Sequence, residues 1–112
     1  MIDSYRFGQI VVDGEKYTSD LIIFPERVKG GWWKKRGHQL CAEDLEEVIE
    51  EKPEVLIIGT GSPGRLRVPS ELEDYLRSQG IDVIVEPTGE ACQTFNRLCR
   101  SLRVAAALHL TC

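Results

Sequence analysis

A run of four apolar residues, Val55 to Ile58, leads directly into Gly59-Thr60-Gly61, and this junction constrains the fold more than any other feature. An unbroken apolar run closed by glycines is typical of a strand that is buried on both faces of a sheet. Glycine also allows the loop after such a strand to approach another group closely. The junction therefore indicates an α/β fold and directs the search for a ligand to this loop.

The rest of the composition fits one ordinary globular domain. A chain of 112 residues can bury roughly two-thirds of its unfolded surface without a metal or a disulfide framework. We interpret residues 1–112 as a single domain. The net charge of −4 argues against nucleic acid as a partner, because such binding depends on Lys and Arg displacing counterions.

Targeting and metal-binding signals are missing from the sequence. The segment from Met1 to Phe7 has no apolar core of a signal peptide, and no apolar run approaches membrane-spanning length. We expect a cytoplasmic protein that binds neither a membrane nor a cofactor. Its two histidines lack matching acidic residues, and its four cysteines form no Cys-x-x-Cys pair, so no metal site is predicted.

Turn signals and hydrophobic periodicity predict five strands and three helices. Asp13-Gly14 lies between two apolar segments and predicts an antiparallel hairpin. Ser70 with Glu73 has the form of a capping box, and Thr88 is a candidate cap for the last helix. The predicted strands are 7–12, 17–24, 54–58, 81–85 and 104–110, and the predicted helices are 42–51, 70–79 and 88–102.

Alternating strands and helices predict parallel, right-handed crossovers in a three-layer α/β domain. The nearly all-apolar last strand should be central, which gives a mixed five-stranded sheet of order 2-1-5-3-4 with helices on both faces. Ligands of such sheets bind beyond the carboxyl ends of strands at the switch point, here between strands three and five. Residues expected at this crevice are Gly59, Thr60, Gly61, Ser62, Glu86, Thr88, Cys92, His109, Thr111 and Cys112.

The glycine loop itself matches a nucleotide-binding pattern by spacing alone. Residues 59–64 read G-x-G-x-x-G, and Glu86 ends the next strand, where a ribose-binding acid would lie. Pro63 interrupts the motif, however, and the following helix is predicted to begin only near Ser70, too far away to hold a pyrophosphate. A tight turn is the favoured interpretation, and a small anion or polar ligand is the second.

Two residues near the crevice have reactive side chains. Cys92 lies in the first turn of a helix, which can favour a thiolate, but a buried inert thiol is the commoner case. His109 is either a hydrogen-bonded core residue or a general base. The strand order also brings Cys112 near Cys92, within disulfide range under oxidising conditions.

The segment Trp32-Trp33-Lys34-Lys35-Arg36 combines aromatic bulk with positive charge. We interpret Val28 to Leu40 as a loop or short edge strand with an exposed tip. Its aromatic and basic run predicts contact with a protein partner through Trp32, Trp33 and His38. The alternative is that one tryptophan covers the sheet while the lysines stay solvated.

Several short elements in combination resemble the Mth938-like domain family. They are Tyr5 to Gly8, the loop 30–40, Lys52-Pro53-Glu54, Gly59-Thr60-Gly61, Glu86-Pro87-Thr88, Glu90-Ala91, Phe95-Asn96 and Ala105 to Cys112. The resemblance implies a single α/β domain with a mixed sheet and no established enzymatic activity. Eukaryotic relatives in that family include a mitochondrial complex I assembly factor and an adipogenesis-associated protein. Some relatives carry a cysteine directly after the Pro-Thr pair, where this chain has Gly89, so a thiol role does not carry over.

Two functional hypotheses follow. The first, which we favour, is a non-catalytic interaction or assembly domain. It holds a protein partner, either a different protein or a second copy, through the loop from Trp32 to His38 and the rim of the crevice. The second is a small-molecule binder or enzyme in which the Gly59–Ser62 loop, Glu86 and Thr88 contact the ligand and Cys92 or His109 reacts. No catalytic residue is assigned.

Overall fold

A computed structural model describes all residues from Met1 to Cys112 and contains eight strands and three α-helices. A 3₁₀ turn, Ala42–Leu45, runs directly into the first helix. The strands are β1 (Ile2–Arg6), β2 (Gln9–Val12), β3 (Glu15–Tyr17), β4 (Leu21–Ile23), β5 (Val28–Gly30), β6 (Val55–Gly59), β7 (Asp82–Glu86) and β8 (Val104–Leu108). The helices are α1 (Glu46–Glu51), α2 (Ser70–Ser78) and α3 (Thr88–Leu98).

The main sheet has five strands in the order β5-β4-β8-β6-β7. The last strand, β8, is central: it pairs in parallel with β6 and antiparallel with β4. Strand β6 pairs in parallel with β7 on its other side. The mixed sheet, the central last strand and the parallel strands with crossover helices are therefore confirmed.

The antiparallel hairpin in the main sheet is not the one that the sequence predicted. The Asp13-Gly14 turn forms, with both residues at positive φ, but it joins β2 to β3 in a separate three-stranded sheet. The hairpin β4–β5 takes the two places expected for the first two strands. All three residues of β4 are buried, so this short strand needs cover on both faces, which only the main sheet provides.

Alternate residues of the main sheet face two different layers. Ala105 and Ala107 face the core beneath α1 and α2, which includes Leu45, Val48 and Leu76. Ala106 and Leu108 face the opposite core, where α3 and the small sheet contribute residues such as Phe95, Ile10 and Val12. The helices thus cover both faces, as predicted, and the small sheet shares the second face with α3.

Both predicted side-chain caps are wrong. Pro69 and Pro87 occupy the positions before α2 and α3, and neither helix has a side-chain cap. The Ser70 hydroxyl bonds the neighbouring Glu71 carboxylate instead. Proline is well suited to a helix start because its φ is fixed near the helical value and it needs no hydrogen-bond acceptor for an N–H.

No helix in the structure has the length and apolar character that crossing a membrane requires. All four cysteines, including Cys92 and Cys112, are free thiols.

Candidate functional site

The glycine loop after β6 is bonded to its own chain through three consecutive backbone N–H groups. Residues 60, 61 and 62 each donate a hydrogen bond to a neighbouring segment beyond the carboxyl edge of the sheet. The bonds are Thr60 N–H to the Glu86 carbonyl (2.9 Å), Gly61 N–H to Thr88 Oγ1 (2.8 Å) and Ser62 N–H to the Thr111 carbonyl (2.9 Å). The donors that a phosphate or other anion would need are thus already in use.

Gly61 is the point of closest packing in this loop. Its φ is +99°, and a Cβ built there would lie well inside van der Waals contact with the Thr111 carbonyl oxygen. Gly59 is similarly restricted, since a Cβ would come within 2.9 Å of Thr88 Oγ1. Gly61 allows a close approach of backbone to backbone, and Gly59 leaves room for the side chains of Leu108 and Thr88. Both observations agree with the interpretation of the motif as a tight turn.

Thr88 connects the three segments that meet at the switch point. Its hydroxyl donates to the His109 carbonyl at 2.5 Å and accepts from Gly61 N–H, while its backbone N–H donates to the Gly61 carbonyl at 3.0 Å. The Glu86 carboxylate accepts a hydrogen bond from Thr94 Oγ1 at 2.7 Å. The structure therefore brings most of the expected crevice residues together, and they bond mainly to one another: Thr60, Gly61, Ser62, Glu86, Thr88, His109 and Thr111.

His109 belongs to a buried charged cluster that the sequence did not reveal. Its Nδ1 lies 2.7 Å from Asp20 Oδ2, which also receives Lys34 Nζ, and Asp20 Oδ1 accepts Leu110 N–H at 2.8 Å. Burial raises the pKa of Asp20, but the hydrogen bonds from Lys34, His109 and Leu110 outweigh it, so the net pKa is lower than usual. An isolated aspartate in a polar linker gives no signal for this role.

Cys92 lies away from this network. It is buried at the edge of a surface groove of about 500 Å³ between β1 and α3, which Tyr5 and Asn96 also line. Desolvation raises the pKa of the Cys92 thiol to about 12. Burial therefore outweighs any effect of the helix terminus, and the thiol stays protonated at neutral pH.

The four cavities of the surface all lie outside the glycine loop. None of them is lined by residues 59–62 or by His109. No group of His, Cys, Asp and Glu is arranged to hold a metal ion.

The two adjacent tryptophans have different environments. Trp32 is 8% exposed, packs in the core beneath the first helix, and donates its Nε1–H to the Asp44 carbonyl at 2.9 Å. Trp33 is 78% exposed. Trp32 thus covers the sheet, as the alternative interpretation expected. Lys34 is not solvated, contrary to that alternative, because its side chain is 8% exposed and pairs with Asp20. His38 is exposed on the same loop, and its carbonyl accepts Arg67 N–H at 2.8 Å.

Both tryptophans line a groove of about 460 Å³ between this loop and α1. Five carboxylates and one cation, Lys29, also line it, and Lys29 pairs with Glu47. The carboxylates are those of Glu43, Asp44, Glu46, Glu47 and Glu50. We call this feature, with Trp33 at its side, the Trp33 groove. A second hollow of about 290 Å³ shares Glu43, Glu46 and Glu50 with it and extends to Ile49 and Tyr75, whose ring is 44% exposed.

Comparison with known families gives one model that covers nearly the whole chain. The model described as "Protein of unknown function (DUF498/DUF598)" matches residues 2–109.

Among curated proteins, the chain is similar to the human "NADH dehydrogenase (ubiquinone) 1 alpha subcomplex assembly factor 3". The two are 33% identical over 109 residues, which is 95% of this chain and 58% of the human protein. The chain thus spans less than two thirds of that relative's length.

Solved structures share the fold over the whole chain. The conserved hypothetical protein PH1505 from Pyrococcus horikoshii OT3 has a TM-score of 0.89 at 31% identity, covering 100% of this chain and 99% of that one. A Bordetella pertussis protein described as a Mth938-like domain has a TM-score of 0.77 at 22% identity, covering 98% of this chain and 85% of that one. The second likeness concerns the fold alone.

Proposed function

The chain belongs to the family described as "Protein of unknown function (DUF498/DUF598)", and from this premise we propose that it is a non-catalytic protein-binding domain that assists the assembly or regulation of a larger complex. Its partner would contact the Trp33 groove. Relatives named as an assembly factor support a role in which the domain holds another protein.

The observation that carries this proposal is the exposure of Trp33. A tryptophan that is 78% exposed leaves a large apolar surface in water, which is costly unless a partner covers it. Tryptophan is also among the residues that contribute most to binding energy at protein interfaces. The ring lies beside a groove, so a partner could bury it against a concave surface.

The glycine loop supports the same conclusion by its bonding. Its three backbone donors and the Thr88 hydroxyl are all engaged within the chain. A ligand that used them would have to break their bonds to Glu86, to Thr88 and to the carboxyl-terminal segment. The hypothesis of a small-molecule site at this loop therefore has less support than the Trp33 groove.

Deletion of the gene followed by complementation tests the proposal. We expect the deletion strain to contain less of at least one multisubunit complex on native gels, with its subunits accumulating as unassembled intermediates. Wild-type protein should restore the complex, and the Trp33→Ala variant should not, although it folds normally because its side chain lies outside the core.

Phe7→Ala is the matched control, because Phe7 is an exposed aromatic residue that lines no part of the groove. It should restore assembly as wild type does. An unchanged set of complexes in the deletion strain, or full rescue by Trp33→Ala, would contradict the proposal.

A further inference from the structure

The chain already uses an aromatic ring with carboxylates to hold its own cations at two places. The Arg27 guanidinium lies 4.0 Å from the Phe24 ring centroid and pairs with Glu47 at 3.0 Å and Glu51 at 2.5 Å. Such an arrangement combines attraction to the ring face with charge-assisted hydrogen bonds.

Lys34 is held in the same way. Its Nζ lies 4.7 Å from the Trp32 ring centroid and pairs with Asp20. In both places the cation, the ring and the carboxylate come from this chain.

The Trp33 groove repeats the ring and the carboxylates with a single cation, Lys29, which pairs with Glu47 and leaves the other carboxylates of the groove without it. Trp33 and the exposed residues Glu46 and Glu50 line it together, and neither of these glutamates forms an ion pair. The only cationic partner of Glu43 is the exposed Lys35, at 3.8 Å. The groove therefore presents negative charge next to an uncovered ring.

We propose that the Trp33 groove binds the Arg or Lys side chains of a basic, partly apolar protein segment. This inference rests on the proposed function and names the chemistry of the partner. The cation would lie between Trp33 and the carboxylates of Glu46 and Glu50, where both attractions act together.

The neighbouring hollow indicates which side chains the rest of the partner segment would carry. It continues past Glu46 and Glu50 to Ile49 and the partly exposed ring of Tyr75. A segment that followed both depressions would present a second cation or an apolar side chain to this ring. A nucleic acid would meet repulsion here, because its phosphates would face the same glutamates.

Peptide titration against the full chain tests this inference. The probe is a fluorescein-labelled 12-residue peptide with four arginines separated by Leu and Ser, and the reference peptide replaces each arginine with citrulline, which is neutral but similar in shape. We expect the arginine peptide to bind more tightly, with binding weakened by salt. The double variant Glu46→Gln/Glu50→Gln should bind it about tenfold more weakly.

The matched control is Glu15→Gln/Glu71→Gln, which removes the same charge from exposed positions outside the groove. It should bind the arginine peptide as wild type does. Equal losses in both double variants would mean attraction to overall charge and would overturn the inference. So would equal binding of the two peptides, or self-association of the chain through this groove in sedimentation.

The two proposals fail in distinguishable ways. If Trp33→Ala prevents complex assembly in cells but the groove shows no preference for the arginine peptide, the function stands and the basic partner is wrong. If the peptide binds as expected but Trp33→Ala restores assembly, the groove binds cations and the assembly function is wrong.

Discussion

Gly61 shows how one residue can determine the geometry of the switch point. Its positive φ and its contact with the Thr111 carbonyl exclude a side chain for two separate reasons. The same residue donates to Thr88, which in turn bonds the His109 carbonyl. The loop, the start of α3 and the carboxyl-terminal segment are thereby held together at one position.

Gly61→Ala should reduce the free energy of unfolding by about 3 kcal/mol or more, because the new Cβ adds a steric clash to an unfavourable φ. Gly14→Ala is the matched control: Gly14 has a φ of +82°, but a Cβ added there would meet no atom within 4 Å. It should lose only about 1 kcal/mol. Urea unfolding measures both, and equal losses would show that backbone conformation alone accounts for the effect.

Asp20 should make the free energy of unfolding decrease at acidic pH. Its folded-state pKa is lowered below the reference value of 3.8, so its contribution is present above that value and is lost as the pH falls through the folded-state pKa. Asp20→Asn should cost about 2–4 kcal/mol at pH 7, because it leaves Lys34 buried without its carboxylate. It should also flatten the fall in unfolding free energy as the pH drops below the reference value of 3.8.

The exposed Asp82, which forms no side-chain hydrogen bond or ion pair, supplies the control for this prediction. Asp82→Asn should change stability by less than about 0.5 kcal/mol and keep the wild-type acid dependence. An Asp20→Asn curve parallel to that of wild type throughout this pH range would show that the carboxylate does not titrate as described.

The sequence predicted the positions of some residues at the switch point but not the roles of others. Gly59, Gly61 and Thr88 were expected near His109, because parallel strands end at one edge of the sheet. The roles of Asp20 and Lys34 could not be predicted, because they depend on how two loops fold over the end of β8. The hydroxyl of Thr88 was expected to cap its own helix, but Pro87 occupies the capping position before α3 and the Thr88 hydroxyl bonds across the switch point instead.

Among the elements, β8 has the central position in the main sheet. Its five residues are all buried, and it bonds to β4 on one side and β6 on the other. Three consecutive alanines let the layers on both faces approach the sheet closely, as the two cores show. Sequence reasoning placed this strand correctly because an all-apolar strand needs cover on both faces.

The amino-terminal strands were harder to place from sequence. The Asp13-Gly14 turn was correctly recognised from local chemistry. Its sheet was not, because β5 is short and mostly exposed and gives no hydrophobic signal of its own. Because β5 gave no signal, the apolar β4 was predicted to be the second strand of the Asp13-Gly14 hairpin rather than the first strand of the hairpin with β5.

Rates of amide hydrogen exchange should differ between the central and the edge strands of the main sheet. Amides of β6 and β8 should exchange most slowly, at a rate set by global unfolding, because both strands are bonded on two sides and buried. Amides of the edge strand β5 and of residues 33–38 should exchange faster by local opening. Equal protection of β5 and β8 would contradict the strand order described here.

In the molecule as a whole, the carboxyl edge of the main sheet and the Trp33 groove differ in their hydrogen bonding and charge. The carboxyl edge of the sheet is a bonded junction whose donors are satisfied within the chain. The Trp33 groove is open, acidic and aromatic, and is the surface we propose for a partner. A bonded junction and a separate exposed groove suit a domain that holds another protein.

Site-specific photo-crosslinking in living cells separates these two places most directly. A benzoylphenylalanine residue replaces Trp33 in one variant and the exposed Ser62 of the glycine loop in another. We predict that irradiation of the first variant yields a discrete protein adduct whose linked peptide contains Arg or Lys, and that the second yields none. Adducts at position 62 with none at position 33 would contradict the account and place the binding surface at the glycine loop.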